Sequence, residues 1–203
     1  AQYTSANYYV VNFYNYNMAL LESIFVKQGL SATYPGGTEP TQPITEVYAG
    51  DDTTILTYIG YTFSGWDKPL NNIQDFTEVV AQYTPDYTYA VFFRNYDDSI
   101  LKTIYVPAGN TTSYTGAVPA KPNDNIYNGQ TVIGYNEYTF DKWDKTFTAI
   151  QGVTNYYAQY KVTKYYIVKF LNYNNSLLQS SHVKEGNNAS YTGSTPLKPN
   201  DNI

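Results

Sequence analysis

The sequence predicts a mainly β chain (α+β at most), laid out as tandem small domains in an elongated array. Three observations predict it: a repeat unit near 77 residues, period-two alternation of apolar residues within each unit, and no segment with helical periodicity. Three stretches align, from Tyr8 (YYVVNFYNYNMALLESIFVKQG), Thr88 (TYAVFFRNYDDSILKTIYVPAG) and Tyr165 (YYIVKFLNYNNSLLQSSHVKEG). Phe13, Phe93 and Phe170 correspond, at steps of 80 and then 77 residues. A second block, YTFSGWDKPLNNIQDFTEVVAQY from Tyr61, returns as YTFDKWDKTFTAIQGVTNYYAQY from Tyr138. Between them, YTGAVPAKPNDNI from Tyr114 returns as YTGSTPLKPNDNI from Tyr191. Residues 1–4 therefore read as the end of a preceding repeat, 5–84 as repeat 1, 85–161 as repeat 2 and 162–203 as the first half of a truncated repeat 3. The expectation is a window from a longer protein, with the half repeat leaving a sheet edge and an apolar face uncovered.

Each element follows from the comparison of one unit with the next. In the first strand Val11/Val91/Val168 and Phe13/Phe93/Phe170 are constant. The alternate positions drift, as in Asn12/Phe92/Lys169 and Tyr14/Arg94/Leu171. One constant apolar face at period two marks a half-buried strand. Asn17-Met18, Asp97-Asp98 and Asn174-Asn175 follow, suited to a tight turn because Asn and Asp tolerate left-handed backbone. A second strand runs from Leu21/Leu101/Leu178 to Val26/Val106/Val183 and ends at Gly29, Gly109 and Gly186, so each unit opens with a hairpin. The Pro- and Gly-rich stretches YPGGTEPTQP and YTGAVPAKP predict an ordered turn or loop. Tyr127-Asn128-Gly129-Gln130 predicts a hairpin turn of type I′. The closing strand alternates Thr77, Val79, Ala81, Tyr83, echoed by Thr154, Tyr156, Ala158, Tyr160.

Composition narrows the function classes. The chain has 203 residues, 25 of them Tyr, and Leu, Ile, Val and Phe together number 45, so its cores lean on aromatic rings. Only 14 % of residues are charged, which keeps self-repulsion low enough for a folded chain. A net charge of −5 and a pI near 4.7 argue against nucleic acid as a partner, since phosphate binding needs Lys and Arg. No apolar run reaches the roughly 18 residues of a membrane span. The absence of Cys removes disulfides and thiolate zinc sites. The stretch AQYTSANYY lacks the basic and apolar regions of a signal peptide.

A V-x-F strand (Val11, Phe13), a Gly (Gly29), then Tyr61-Thr62-Phe63-Ser64-Gly65-Trp66 and Ala81-Gln82-Tyr83 form a pattern that resembles the Listeria–Bacteroides repeat, or internalin B-repeat. The resemblance runs over essentially the whole chain. Repeat 2 departs from it by placing Lys142 where the motif has Gly, while keeping Trp143. The stretches from Pro43 and Pro122 to Y-T-F are longer than the family has, which points to an added hairpin. The resemblance implies a small β-grasp-like domain repeated along bacterial cell-wall and secreted proteins. Mucin-binding repeats of similar fold are the rival family.

Several residues invite a chemical role. Trp66-Asp67-Lys68 and Trp143-Asp144-Lys145 recur at matched positions. An exposed Trp beside an Asp suits a sugar platform, whereas packing would make the Trp a core plug and the Asp a turn cap; packing is the favoured reading. Tyr14, Tyr16 and Tyr96 lie on the drifting faces, where rings bind partners at little entropy cost. Trp66, Asp67, Trp143, Asp144, Tyr14 and Tyr96 are thus the candidate ligand contacts. His182 stands where other units have Phe25 and Tyr105, replacing an aromatic expected to be partly buried. It lacks a catalytic partner motif. The acidic pairs Asp51-Asp52 and Asp97-Asp98 do not recur and match no calcium-loop spacing, so they read as solvated turns. Lys68 and Lys145 with Asn15, Asn95 and Asn172 are candidates for an isopeptide cross-link. No catalytic residue, metal site or cofactor is expected.

The expected role is non-enzymatic: spacer and adhesive repeats of a bacterial cell-surface or secreted protein, located outside the cell. A carbohydrate- or mucin-binding array, gaining avidity by repetition, is the alternative. Self-assembly into a sheath or filament is a third reading, from Tyr- and Asn-rich strands with few charges at their edges. Expected partners are surface glycans, proteins or neighbouring copies of the chain, with no nucleic acid and no membrane span in this stretch.

Overall fold

The structure, a computed structural model, describes Gln2 and residues 5–199. It is all β, with ten strands and no helix among the described residues. β1 (Tyr8–Tyr14) and β2 (Leu20–Lys27) form the opening hairpin, β3 (Thr45–Tyr48) and β4 (Ile55–Trp66) a second one, and β5 (Thr77–Arg94) follows. The order recurs in β6 (Ile100–Pro107), β7 (Asp124–Asn128), β8 (Thr131–Trp143), β9 (Thr154–Leu171) and β10 (Leu177–Lys184). The hairpin added before Y-T-F is present twice, as β3–β4 and β7–β8.

Two strands differ from the expected layout. The closing strand of one repeat and the opening strand of the next are a single element: β5 and β9 each run for 18 residues, and the boundaries at 84/85 and 161/162 fall inside them. The reason lies in their partners. β4 pairs antiparallel with β5 from Trp66↔Ala81 through to Thr57↔Tyr89, and β8 pairs likewise with β9 from Trp143↔Ala158 to Gly134↔Tyr166. A ladder that continues across the boundary keeps the backbone extended through it. β1 pairs antiparallel with β2 and parallel with β5, Val11–Tyr14 against Thr77–Val80.

Alternation decides which side chains go inside. Val11, Phe13, Val91 and Phe93 are fully buried, as are Val79, Ala81, Tyr156 and Ala158 in the closing strands. Val168 and Phe170, at the matched positions from residue 162 onward, are only half-buried, with Tyr191 5.5 Å from the Phe170 ring. The drifting face is not uniformly wet: Phe92 is buried, with the Arg94 guanidinium 5.4 Å from its ring centre.

Turn chemistry follows the repeat. Met18, Asp98 and Asn175 all adopt left-handed backbone at φ 63°. Each turn is closed by paired backbone bonds, for example Asn95 N to Ser99 O at 2.9 Å and Asp98 N to Asn95 O at 3.2 Å. The Asn-Gly hairpin is where it was expected, but it is not of type I′. That type needs two residues at positive φ, and Gly129 (φ 58°) has it while Asn128 does not. A register shift between Ile126 and Tyr127 advances the pairing, so Asn128 stays in β7 opposite Thr131.

Among the described residues the chain groups into two compact units. Of the described residues, the first comprises those up to Val91, Ile104–Thr112 and Thr148–Thr154; the second comprises Phe92–Thr103, Ser113–Phe147 and those from Asn155 onward. In the first, Val11, Phe13, Val26, Ile73 and Val79 form the core, with Tyr34 and Trp66 packed against them. In the second, Phe93 has Tyr114 at 5.0 Å, Trp143 at 5.1 Å and Tyr156 stacked at 5.4 Å. Burying an aromatic ring of this size stabilises by roughly 1.5–3 kcal/mol, so these rings carry much of each core. The Y-x-G motif positions one of them. A Cβ on Gly36 would lie 2.3 Å from the Tyr34 ring, and one on Gly116 would lie 2.3 Å from the Tyr114 hydroxyl. Only glycine lets the tyrosine fold over its own loop to reach the core.

Candidate functional site

Trp66 and Trp143 end β4 and β8, each just after a register shift in the ladder, between Phe63 and Gly65 or between Phe140 and Lys142. Gly65 takes φ 131° there, whereas Lys142 makes the same bulge without left-handed backbone. The bulge turns the indole toward the core. Trp66 lies 4.8 Å from Phe13 and 5.5 Å from Phe63, edge to face. Trp143 repeats this against Phe93 at 5.1 Å and Phe140 at 5.5 Å. Both indoles are half-buried rather than sealed. Trp66 also lines an open cleft of about 410 Å³ with Tyr34, Thr38, Glu39, Phe63 and Leu70. Trp143 lines another, of about 510 Å³, with Phe140, Lys145 and Phe147.

The aspartates beside them bond to backbone. Asp67 Oδ1 accepts from Val80 N at 2.7 Å, while Asp67 N donates to Val80 O at 2.9 Å. Asp144 does the same with Tyr157, both bonds at 2.9 Å. Each carboxylate thereby satisfies a closing-strand amide at the point where the β4 or β8 ladder ends. Lys68 Nζ donates to Glu78 O at 2.8 Å, and Lys145 Nζ sits 5.5 Å above the Tyr156 ring.

Tyr16 with Tyr83 and Tyr96 with Tyr160 form a recurring pair, whereas Tyr14 has Arg94 at its matched position. Tyr14 is half-buried and donates to Glu78 Oε1 at 3.0 Å. Tyr96 is exposed; its ring stands edge-on 6.2 Å from Tyr160, and Lys121 Nζ lies 5.1 Å from it and 3.7 Å from Tyr138. Tyr16 and Tyr83 repeat the first contact at 6.2 Å. Beneath them is a network that the sequence reading did not assign. Tyr83 OH donates to Asn15 Oδ1 at 2.7 Å and Asn15 Nδ2 donates to Thr41 O at 3.0 Å. Tyr160 OH donates to Asn95 Oδ1 at 2.5 Å, and Asn95 Nδ2 donates to Ala120 O at 3.0 Å. Burial first, then the neighbouring phenols, raise the Tyr83 and Tyr160 hydroxyls above the usual phenol range. The signal in the sequence was the joint recurrence of Asn15/Asn95, at a step of 80 residues, with Tyr83/Tyr160, at a step of 77. Asn15 and Lys68, considered for a cross-link, have these other partners.

His182 is exposed, not partly buried; it rests edge-on against Tyr135 at 5.2 Å. Its counterparts Phe25 and Tyr105 are exposed as well, at 77 % and 41 %, so this position of the second strand faces outward in each repeat. Asp51 accepts from Thr53 N, Thr54 N and Thr54 Oγ1 at 3.0, 2.8 and 2.6 Å, and the Thr54 hydroxyl, ahead of the amides, lowers its pKa to about 2. Asp97 is lowered in the same way by Ser99. Both acids are turn formers. Among the described residues no three His, Cys, Asp or Glu side chains gather closely enough to hold a metal ion.

No family model and no curated protein matches the chain. Among solved structures the chain is similar to the Streptococcal High Identity Repeats in Tandem (SHIRT) domains 3-4 from a cell surface protein. That likeness is 18 % in identity with a TM-score of 0.26, over 77 % of this chain and 99 % of that one.

Proposed function

We propose that these are non-enzymatic spacer and adhesive repeats of a bacterial cell-surface or secreted protein. Small β-grasp-like domains of the Listeria–Bacteroides type, following one another at 5–84, 85–161 and from 162 onward, would build an extended stalk outside the cell. The observation that carries this reading is the copied core: Phe13 with Tyr34 and Trp66 returns as Phe93 with Tyr114 and Trp143 at nearly the same separations. What the chain repeats is packing, and repeated packing units in series provide length and multivalency. The test extends the chain by one, two and three further copies of residues 85–161 and measures the maximum dimension by small-angle scattering. A constant increment per copy is expected. Growth only as the cube root of mass would sink the stalk.

A second reading, a carbohydrate- or mucin-binding array, is favoured by one feature, the open cleft where Glu39 and Thr38 stand beside Tyr34 and Trp66. A ring with a nearby carboxylate and hydroxyl suits a sugar face and its hydroxyls. A glycan array on the intact chain tests it, with Glu39→Gln as the variant that spares the core. Signal lost in the variant supports the array; no signal in either chain leaves the spacer.

A further inference from the structure

We propose that the edge of β1 at residues 6–9, together with the face formed by exposed Tyr8 and Phe25 and half-buried Val10, is an acceptor for the second hairpin of another repeat of this kind. The structure contains this docking twice. At the first, β4 adds antiparallel to the start of the next repeat, Gly60↔Asp86 through Thr57↔Tyr89, and Tyr58 packs edge-on against Tyr105 at 4.9 Å. Tyr105 OH also donates to Ile55 O at 3.3 Å. At the second, β8 adds to β9 with Tyr135↔Tyr165, and Tyr135 stacks on Tyr165 at 5.0 Å and meets His182 at 5.2 Å. Tyr58 and Tyr135 are equivalent by the repeat, as are Tyr105 and His182.

The corresponding edge of repeat 1 offers the same two features. Asp86–Tyr89 corresponds to residues 6–9, and Tyr105 to Phe25. Among the described residues β1 is paired there on one side only: Tyr8 and Tyr9 face Lys27 and Val26 of β2, and the β5 ladder begins at Val11. Strand formation differs in step with this pairing. Residues 85–87 and 162–164 are strand, whereas 5–7 are not, and β1 starts at Tyr8. Val10 and Phe25 lie directly opposite each other on one face. Phe25 is 77 % exposed and Tyr8 59 %. Unpaired strand edges beside apolar rings are where β-strand addition occurs, with main-chain bonds giving affinity and the side-chain face giving specificity.

The occupant is identified by the two internal cases. It is a β-hairpin ending in Y-T-F-x-x-W that carries a Tyr at the position of Tyr58 or Tyr135. The inference stands on the repeat correspondence and the pairing registers, and holds whether the array acts as a stalk or as a binder. The experiment replaces residues 1–3 of the 203-residue chain with a copy of residues 84–160 and follows hydrogen exchange of residues 6–10 by mass spectrometry. Exchange there should slow at least tenfold relative to the unextended chain, while residues 165–167 remain unchanged. Phe25→Ser, at an exposed position and so compatible with folding, should remove most of the added protection in the extended chain and none elsewhere. Equal exchange in extended and unextended chains would overturn the proposal. So would protection that rises with concentration in the unextended chain, which would assign the edge to pairing between identical copies.

Discussion

Asn95 and Thr57 are the polar side chains classed as buried among the described residues, each at 8 % exposure. Asn95 earns its place by accepting from Tyr160 and donating to Ala120, which ties the turn after the first strand, the proline loop and the closing strand to one amide. Removing it leaves a phenol and a carbonyl short of partners, so Asn95→Ala should destabilise by about 1–3 kcal/mol. Asn15→Ala should cost less, since Asn15 is half-buried. Urea midpoints of the two variants check the order. Met18 makes the opposite case. It takes the left-handed conformation that Asp98 and Asn175 adopt in the other repeats, without their short polar side chains. Left-handed backbone costs an ordinary residue roughly 1–2 kcal/mol. Met18→Asn should therefore raise the stability of the first unit by up to about 1 kcal/mol, read as a higher urea midpoint.

Among the elements, the two added hairpins close by different means. β7–β8 turns on Gly129, which needs no side chain. β3–β4 turns on Asp51, whose ionised carboxylate holds Thr53 and Thr54. Its folded pKa, about 2, lies below the ordinary carboxylate value near 3.9. The stabilisation is therefore fully present above about pH 4 and is lost as pH falls through the folded value. A carbon NMR titration of Asp51 should give a midpoint near 2, with the Thr54 amide shifting alongside it while the turn at Gly129-Gln130 stays still. A midpoint near 3.9 would mean that the turn does not need the charge. This hairpin also carries Tyr58 onto Tyr105, so its closing chemistry bears directly on the strand addition proposed above.

At the scale of the whole molecule, each of the two tryptophans reports on one unit. The partners of Trp66 (Phe13, Tyr34 and Phe63) belong to the first unit, and those of Trp143 (Phe93, Tyr114 and Phe140) to the second. Trp143→Ala should destabilise the second unit by about 2–4 kcal/mol, less than the usual cost of deleting a fully buried aromatic because the indole is half-buried. Trp66 fluorescence should keep its wavelength in that variant. A red shift of Trp66 on removal of Trp143 would show that the two cores do not hold separately, against the modular role proposed for the chain.

The sequence by itself determined the period, the constant apolar face of the opening strand and the positions of the turns, and comparison with the family it resembles pointed to an extra hairpin before Y-T-F. The period, the strand face and the turns are local patterns, and repetition within one chain exposed which positions are constrained: Val11 and Phe13 against Asn12 and Tyr14. It also made Asn15 and Asn95 visible as recurring, without their partners. Tertiary structure alone decided the rest. β5 and β9 run unbroken through the repeat boundary because β4 and β8 pair across it. His182 is exposed because its position on the second strand faces away from the core, as Phe25 and Tyr105 do in the other repeats. The Asn–Tyr network closes over 65 to 68 residues of sequence. Hydrogen-bond partners so far apart are chosen by which edges the fold brings together, and no local periodicity encodes that choice.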